Sequence, residues 1–304
     1  MKYRLIGLDL DGTLLNERGV VSEANRAAVA KARAAGVLVV PCTGRGWQES
    51  KEPMQAIFGD VMFKEGSRAA AQTSADMPQP GVFNTGAAVC DVRTGCALDL
   101  AIIEPHLALS IVQTMHDMPE AVLVFRDLAQ VGHDYLVTGR GSLTPNTQWW
   151  FQKSGATVHY QREVTAEDLR HSLRVGIVAQ PARMEIAKAK LRAAVGDQVF
   201  FHSFEALQMP DRSESMHILE IFASGVDKWR GLSWVAQAHS IAPEEIACMG
   251  DEVNDLQMLR GAGCGIAMGN AIADAKAAAK YITLHHREDG VAHAIEQLMS
   301  GRWV

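Results

Sequence analysis

Asp9 and Asp11 stand one residue apart at the end of the apolar run Tyr3 to Leu8, and Gly12-Thr13 follow directly. In extended backbone residues i and i+2 face the same side, so both carboxylates can serve one site, while Gly12 lets the chain turn away sharply. Two like charges in a partly buried cleft call for a cation or a shared proton. Asp251 and Asp255, with Asn254 between them, supply further oxygen groups at the end of a second apolar run far downstream. Neither group contains histidine or cysteine, so the implied ion is hard and oxygen-liganded, with magnesium (Mg2+) the economical choice. Such a site suits phosphoryl chemistry, in which a carboxylate attacks phosphorus while the metal offsets repulsion between the two anions. Thr43-Gly44-Arg45, at the end of a third apolar run, offers a hydroxyl and adjacent N–H groups for phosphate oxygens. Lys228, judged by its surroundings alone, is an ordinary helix lysine.

The elements that must position these groups follow from the same pattern. Tyr3 to Leu8 is a buried parallel strand ending at carboxylates, where ligand sites form in α/β sheets. Ser22 caps a helix over Glu23 to Ala35, Gly36 stops it, and Val37 to Cys42 is the next strand. The grammar returns after Lys228. A helix runs to His239, a strand from Ile246 to Met249 stops at Gly250-Asp251, and Leu256 to Arg260 is helical. Gly265 to Met268 is a strand, Ala271 to Ala279 a helix, Tyr281 to Leu284 a strand and Val291 to Met299 a final helix. One doubly wound sheet is thus assembled from both ends of the chain. Between Ile102 and Phe222 the texture differs. Helices over Leu107 to His116 and Met184 to Val195 mix with strands over Val122 to Phe125, Val158 to Tyr160, Leu173 to Val178, Val199 to His202 and Ile218 to Phe222, as in an inserted α+β domain. The division expected is 1–101 and 223–304 for the core and 102–222 for the insertion. Pro78-Gln79-Pro80-Gly81 reads as a turn on the core side.

The composition narrows the partners. The chain has 304 residues, 48% of them hydrophobic, enough for one large core or two smaller ones. A formal net charge of -6 gives no broad positive surface for nucleic acid. No segment approaches the roughly 18 apolar residues of a membrane span, and the first residues meet aspartates before any signal-like stretch. A cytoplasmic protein is expected, with no membrane partner. Cys42, Cys90, Cys96, Cys248 and Cys264 show no CxxC spacing and read as reduced, mostly core thiols. Nothing selects an oligomeric state.

Taken in order, Asp9-Leu10-Asp11-Gly12-Thr13, Thr43-Gly44-Arg45, Lys228 and Gly250-Asp251-Glu252-Val253-Asn254-Asp255 resemble the four motifs of the haloacid dehalogenase-like phosphatases. The resemblance is narrowest to the Cof-type group, subfamily IIB, with a C2B cap. Asn84-Thr85-Gly86-Ala87, a one-residue expansion of the usual Asn-Gly-Ala, Gly265 to Ala271 and Asp289-Gly290-Val291-Ala292 match as well. The resemblance implies a Rossmann-like three-layer α/β core with a parallel central sheet and an inserted α+β cap. It makes Asp9 the nucleophile and Asp11 the acid for the leaving alcohol, later the base for water. Thr43 would hold phosphoryl oxygens, with Gly44, Arg45, Asn84 and Asn254 nearby, and Lys228 would neutralise charge. Asp9, Asp251 and the backbone carbonyl of Asp11 would bind magnesium, with Asp255 and Asn254 orienting that shell and Lys228. Three positions depart from the pattern. Trp229 stands where glycine is common, Glu252 adds a carboxylate, and Thr85 lengthens its loop.

The implied activity is hydrolysis of a small soluble phosphate monoester, sugar phosphates ahead of pyridoxal phosphate, flavin mononucleotide or other nucleotides. A phosphomutase and a non-catalytic phosphometabolite-binding protein are the alternatives. Discrimination among leaving groups should fall to the inserted domain. Its candidates are weak: Trp149-Trp150-Phe151 suits a cap core, and His133-Asp134, Arg140, His202 and His217 suit surface or internal bonds. His285-His286 lacks a partner set for a metal.

Overall fold

Leu5, Ile6 and Leu8 are wholly buried, as in a strand with neighbours at both edges and cover on both faces. In the computed structural model, which describes residues 2–59, 77–205 and 215–304, Leu5–Leu8 is such a central strand. It pairs in parallel with Ile246–Gly250 on one side and Leu38–Pro41 on the other. Cys264–Ala267 and Tyr281–Ile282 continue the sheet in parallel beyond Ile246–Gly250, so both ends of the chain build one five-stranded sheet. Leu5, Val40, Cys42, Ile246 and Cys248 pack with Leu232, Val235 and Met258 of helices Lys228–Ala238 and Leu256–Gly261. Ile6, Leu8, Val39 and Met249 alternate to the other face and are equally buried. Helices Glu23–Ala34 and Gly290–Met299 pack together. The α/β, Rossmann-like class read from the sequence is the class observed.

Local chemistry sets the helix starts. Ser22 Oγ accepts from Asn25 N at 3.1 Å, and such a cap contributes about 1 kcal/mol. The same hydroxyl donates to Asp289 Oδ1 at 2.5 Å, joining the start of Glu23–Ala34 to the start of Gly290–Met299. Buried Asn25 completes the tie, donating to Leu14 O and accepting from Ala292 N.

The Pro78–Gly81 segment departs from expectation. Pro80–Phe83 is a strand, paired antiparallel with Ala88–Asp91 in a three-stranded sheet that ends at Ala97–Leu100. Pro80 opens that strand, a place where a missing N–H is tolerated. Cys42 bridges to Val82 and Thr43 N donates to Val82 O at 2.9 Å, so this small sheet abuts the end of Leu38–Pro41.

The chain divides into two compact units, Met1–Asp99 with Asp227–Val304, and Leu100–Val226. The second holds a six-stranded sheet whose Val124, Val175, Ile177, Leu219 and Ile221 pack on helices Pro105–Met115 and Pro181–Val195. Elements that escape the sequence reading include strand Tyr135–Thr138, the short helix Leu128–Val131 and helix Pro145–Ser154, which carries Trp149-Trp150-Phe151. Phe151 packs on Tyr135, ring centroids 4.9 Å apart, as core rather than wall. Asp134 accepts from Thr157 N and Oγ1, and Arg140 pairs with Asp117.

On the opposite face of this sheet lies a buried polar network. Glu220 accepts from Arg174 and meets His202 Nε2 at 3.1 Å, while Arg174 donates to Tyr135 Oη at 2.9 Å. Burial alone would raise the Glu220 carboxyl, but Arg174 and His202 outweigh it and hold the group below its ordinary 4.5. A depressed acid stabilises the fold above its unfolded pKa and loses that contribution as pH falls through its folded pKa. Glu220→Gln, which removes the buried carboxylate that Arg174 and His202 meet, is therefore expected to cost about 3 kcal/mol at neutral pH. Urea unfolding at pH 7, 4.5 and 3 should show the gap to the native chain closing below about 4.5.

Candidate active site

Asp9 is the residue after the central strand, its N–H donating to Met249 O at 3.1 Å, so the backbone is held to the neighbouring strand up to the carboxylate. The chain then turns through Gly12 at φ 75. A Cβ on Gly12 would lie 2.2 Å from Asp251 Oδ2, so the turn itself packs against the second acid. Asp251 follows Ile246–Gly250, which pairs with the central strand in register, and adjacent strand ends thereby bring together acids distant in sequence. Asp9, Asp251 and Asp255 are all buried, with one carboxylate oxygen from each within 4.8 Å of the others.

Lys228 is the cation of this cluster. Its Nζ lies 2.6 Å from Asp9 Oδ1 and 2.6 Å from Asp255 Oδ1. Asp227 caps the helix that Lys228 begins, accepting from Arg230 N at 2.7 Å. Asp255 Oδ2 accepts from the N–H groups of Asp251 and Glu252, so both of its oxygens are already bonded. Asp251 Oδ1 accepts from Thr13 Oγ1 at 3.0 Å and Oδ2 from Asn270 Nδ2 at 3.2 Å. Asn270 also donates to Gly12 O and accepts from His286 N. Neither Thr13 nor Asn270 stands among the site residues read from the sequence. The signal was present, since both lie inside matched motifs, but a neutral side chain carries no charge pattern to single it out.

Charge decides which ion this cluster suits. Burial, then repulsion from Asp255, raises Asp251 to about 7. Burial also raises Asp9 well above its ordinary range, against the pull of Lys228. With all three carboxylates ionised, the one ammonium leaves two negative charges, which one divalent cation would balance. The donors are all hard oxygens, so the residues present fit magnesium better than a softer ion.

The second strand end supplies the floor. Thr43 is buried, and its Oγ1 accepts from Arg45 N at 3.1 Å, which leaves its own proton to donate elsewhere. A Cβ on Gly44 would lie 3.5 Å from Thr85 Oγ1 and 3.7 Å from Asn254 Nδ2, so both side chains border the space above Gly44. Asn84 N donates to Arg45 O and Thr85 N to Thr43 O, which lays the Asn84–Gly86 turn along this strand end. Asn84, Thr85 and Gly86 have φ of 48, 55 and 96, and Asn84 Oδ1 and Thr85 Oγ1 are buried without a hydrogen-bond partner. Consecutive left-handed residues other than glycine store strain that sites of function commonly hold. Gly86 is obligatory, since a Cβ there would meet Asp227 O at 1.8 Å.

One expected site residue stands differently from the pattern that spacing suggests. Asp11 does not join the Asp9 cluster; its carboxylate is 56% exposed and is held by Arg45, whose Nε donates to Oδ2 at 2.8 Å and whose Nη2 binds Oδ1. The departures from the family pattern are also placed. Trp229 packs against Gly261, where a Cβ would meet its ring at 2.3 Å, and on the apolar core. Glu252 turns back on its own backbone, accepting from Val253 N, and is exposed. His286 Nδ1 contacts Leu15 O and His285 Nδ1 accepts from Arg287 N, so local bonds occupy that pair.

A parallel α/β sheet with buried acids at two adjacent strand ends, a lysine between them and a second unit inserted in sequence defines a hydrolase of the haloacid dehalogenase class. The chain belongs to the haloacid dehalogenase-like hydrolase family, whose model matches residues 6–295. It is 30% identical to the putative phosphatase YxeH of Bacillus subtilis over 98% of both chains. It is 28% identical to the 5-amino-6-(5-phospho-D-ribitylamino)uracil phosphatase YwtE of the same organism over 99% of both. A haloacid dehalogenase-like hydrolase from Bacteroides thetaiotaomicron shares the fold with a TM-score of 0.74 at 23% identity, covering 97% of this chain and 99% of that one. The enzyme is thus a phosphatase of this family. Among the described residues, no helix is long and apolar enough to cross a membrane.

Proposed function

We propose that this phosphatase is magnesium-dependent and works through a phosphoryl group carried covalently on Asp9. The observation that carries the reading is the buried Asp9 carboxylate, one oxygen on Lys228 and the other outside that bond, in a cluster two charges short of neutral. Magnesium, held by Asp9, Asp251 and the Asp11 carbonyl, supplies charge neutralisation for phosphoryl oxygens. Thr43 Oγ1, the N–H groups beside Gly44 and the Asn254 amide hold the phosphate oxygens, and Asn84 borders them. Asp9 attacks phosphorus, the bond from phosphorus to the ester oxygen breaks, and the departing alcohol oxygen takes a proton from the Asp11 carboxyl. Asp11, now a carboxylate, takes a proton from water as that water attacks the aspartyl phosphate, which releases inorganic phosphate and restores Asp9. Lys228 meets the charge on Asp9 throughout, and Asp255 holds Lys228 in place.

The names of the relatives support a substrate class under this reading. YwtE and two further Bacillus subtilis phosphatases, YitU and YcsE, are named for a phosphoribitylamino compound. We therefore assign a small soluble phosphate monoester on a sugar or sugar-alcohol chain, with the Leu100–Val226 unit acting as the C2B-type cap that selects the alcohol. The test is phosphate release from a panel of sugar, polyol, pyridoxal and nucleotide monophosphates, with magnesium and with a chelator. Turnover on polyol or sugar esters that stops on chelation and returns with magnesium is expected; turnover indifferent to chelation contradicts the metal. Exchange of phosphate between two hydroxyls of a sugar, without release, would instead mark a mutase.

A further inference from the structure

Arg45 belongs to the strand end that floors the site, yet its side chain points to Asp11. Its main chain is fixed on both sides, the N–H on Thr43 Oγ1 at 3.1 Å and the carbonyl on Asn84 N at 2.9 Å. Its guanidinium then forks onto both oxygens of Asp11, Nε to Oδ2 at 2.8 Å and Nη2 to Oδ1. Arg45 is only 23% exposed against 56% for Asp11, so the more buried partner anchors the more exposed one. A planar fork engaged on one carboxylate is committed, because the geometry that matches carboxylate is the one that would match phosphate. Phosphate donors are already present without it, in the Thr43 hydroxyl, the Gly44 N–H and the Asn254 amide near Gly44.

We infer that Arg45 is a positioning residue for Asp11 and not a ligand of the phosphoryl group. This rests on the proposed role of Asp11 as the acid for the leaving alcohol. An exposed aspartate samples several rotamers, and proton delivery needs one of them at the moment the ester bond breaks. Arg45 selects that rotamer. One carboxyl oxygen stays on the guanidinium while the other turns to the alcohol oxygen and gives it the proton.

Leaving-group dependence separates this from phosphate binding. An alkoxide must be protonated as it departs, whereas p-nitrophenolate leaves without help. kcat/KM reports the steps through departure of the alcohol, so it is measured for ribose 5-phosphate and for p-nitrophenyl phosphate with the native enzyme, Arg45→Met, Arg45→Lys and Asp11→Asn. Arg45→Met is expected to lose at least about tenfold more on ribose 5-phosphate than on p-nitrophenyl phosphate, and Arg45→Lys, which can hold one oxygen, to recover part of the difference. Release of p-nitrophenolate in the first turnover, a step that needs no proton from Asp11, together with an unchanged urea midpoint, shows that the variants are folded. Equal losses on the two esters, or no loss on either, overturn the inference while Asp11→Asn still discriminates between them. If Asp11→Asn itself loses equally on both, the acid assignment fails and the role of Arg45 fails with it.

Discussion

Asp9→Asn should abolish phosphate release, by at least about 10⁴-fold, in a protein that melts no lower than the native chain. The activity loss follows from replacing an anionic oxygen by an amide, which keeps the shape and removes the proposed nucleophile. The unchanged or raised melting temperature follows from the surroundings. Asp9 is a buried acid that burial and its acidic neighbours push well above its ordinary range, so its negative charge is a burden in the metal-free chain. Lys228 keeps its second partner, Asp255, at 2.6 Å. Mass spectrometry of acid-quenched enzyme should find a phosphate adduct on the peptide containing Asp9 in the native protein and none in the variant. Turnover within tenfold of native would show that phosphorus is attacked by something else.

The position of Asp9 was legible because a four-residue buried strand ending in acids has few other readings, and the second acid group repeated the signal. The approach of Asp251 to Asp9 was implied by the family resemblance and had no local signal of its own. Spacing alone put Asp9 beside Asp11, since alternate residues of a strand share a face. The strand stops at Leu8, however, and the backbone turns through Asp11 and Gly12, which sends the Asp11 side chain to Arg45 and brings Asp251 to Asp9 instead. Parallel pairing of Leu5–Leu8 with Ile246–Gly250 decides this, and a long-range register has no local signature. Helix starts were readable where a cap announced them, as at Ser22. Strand Pro80–Phe83 was hidden because Pro and Gly dominate its first half, while its burial against Gly231 and Val92 is a tertiary property. In the Leu100–Val226 unit the helix bearing Trp149-Trp150-Phe151 was missed for a similar reason: the aromatic run obscures a helical period that Thr144 and Pro145 had signalled.

The role proposed for Lys228 joins stability and chemistry in one side chain, and the two can be separated by experiment. It is 1% exposed, and burial alone would push its pKa down, but Asp255 and Asp9 outweigh that and hold it above its ordinary 10.5. A base with a raised folded pKa contributes its full stabilisation below the unfolded value, so the ammonium is counted at every pH at which the enzyme works. Lys228→Met keeps most of the stem volume and removes the charge, leaving Asp255 and Asp9 buried without a cation. Breaking a buried pair in this way costs about 3–5 kcal/mol, and activity should fall by about 10²-fold or more as the charge facing Asp9 is lost. The double variant Lys228→Met with Asp255→Asn removes the stranded charge at the fully buried position. Its urea midpoint should recover part of the lost stability while phosphate release stays at the level of the single variant. A single variant as stable as the native chain would mean that water or another group, and not this ammonium, balances the acids; recovery of turnover in the double variant would mean that the lysine acts only as scaffold.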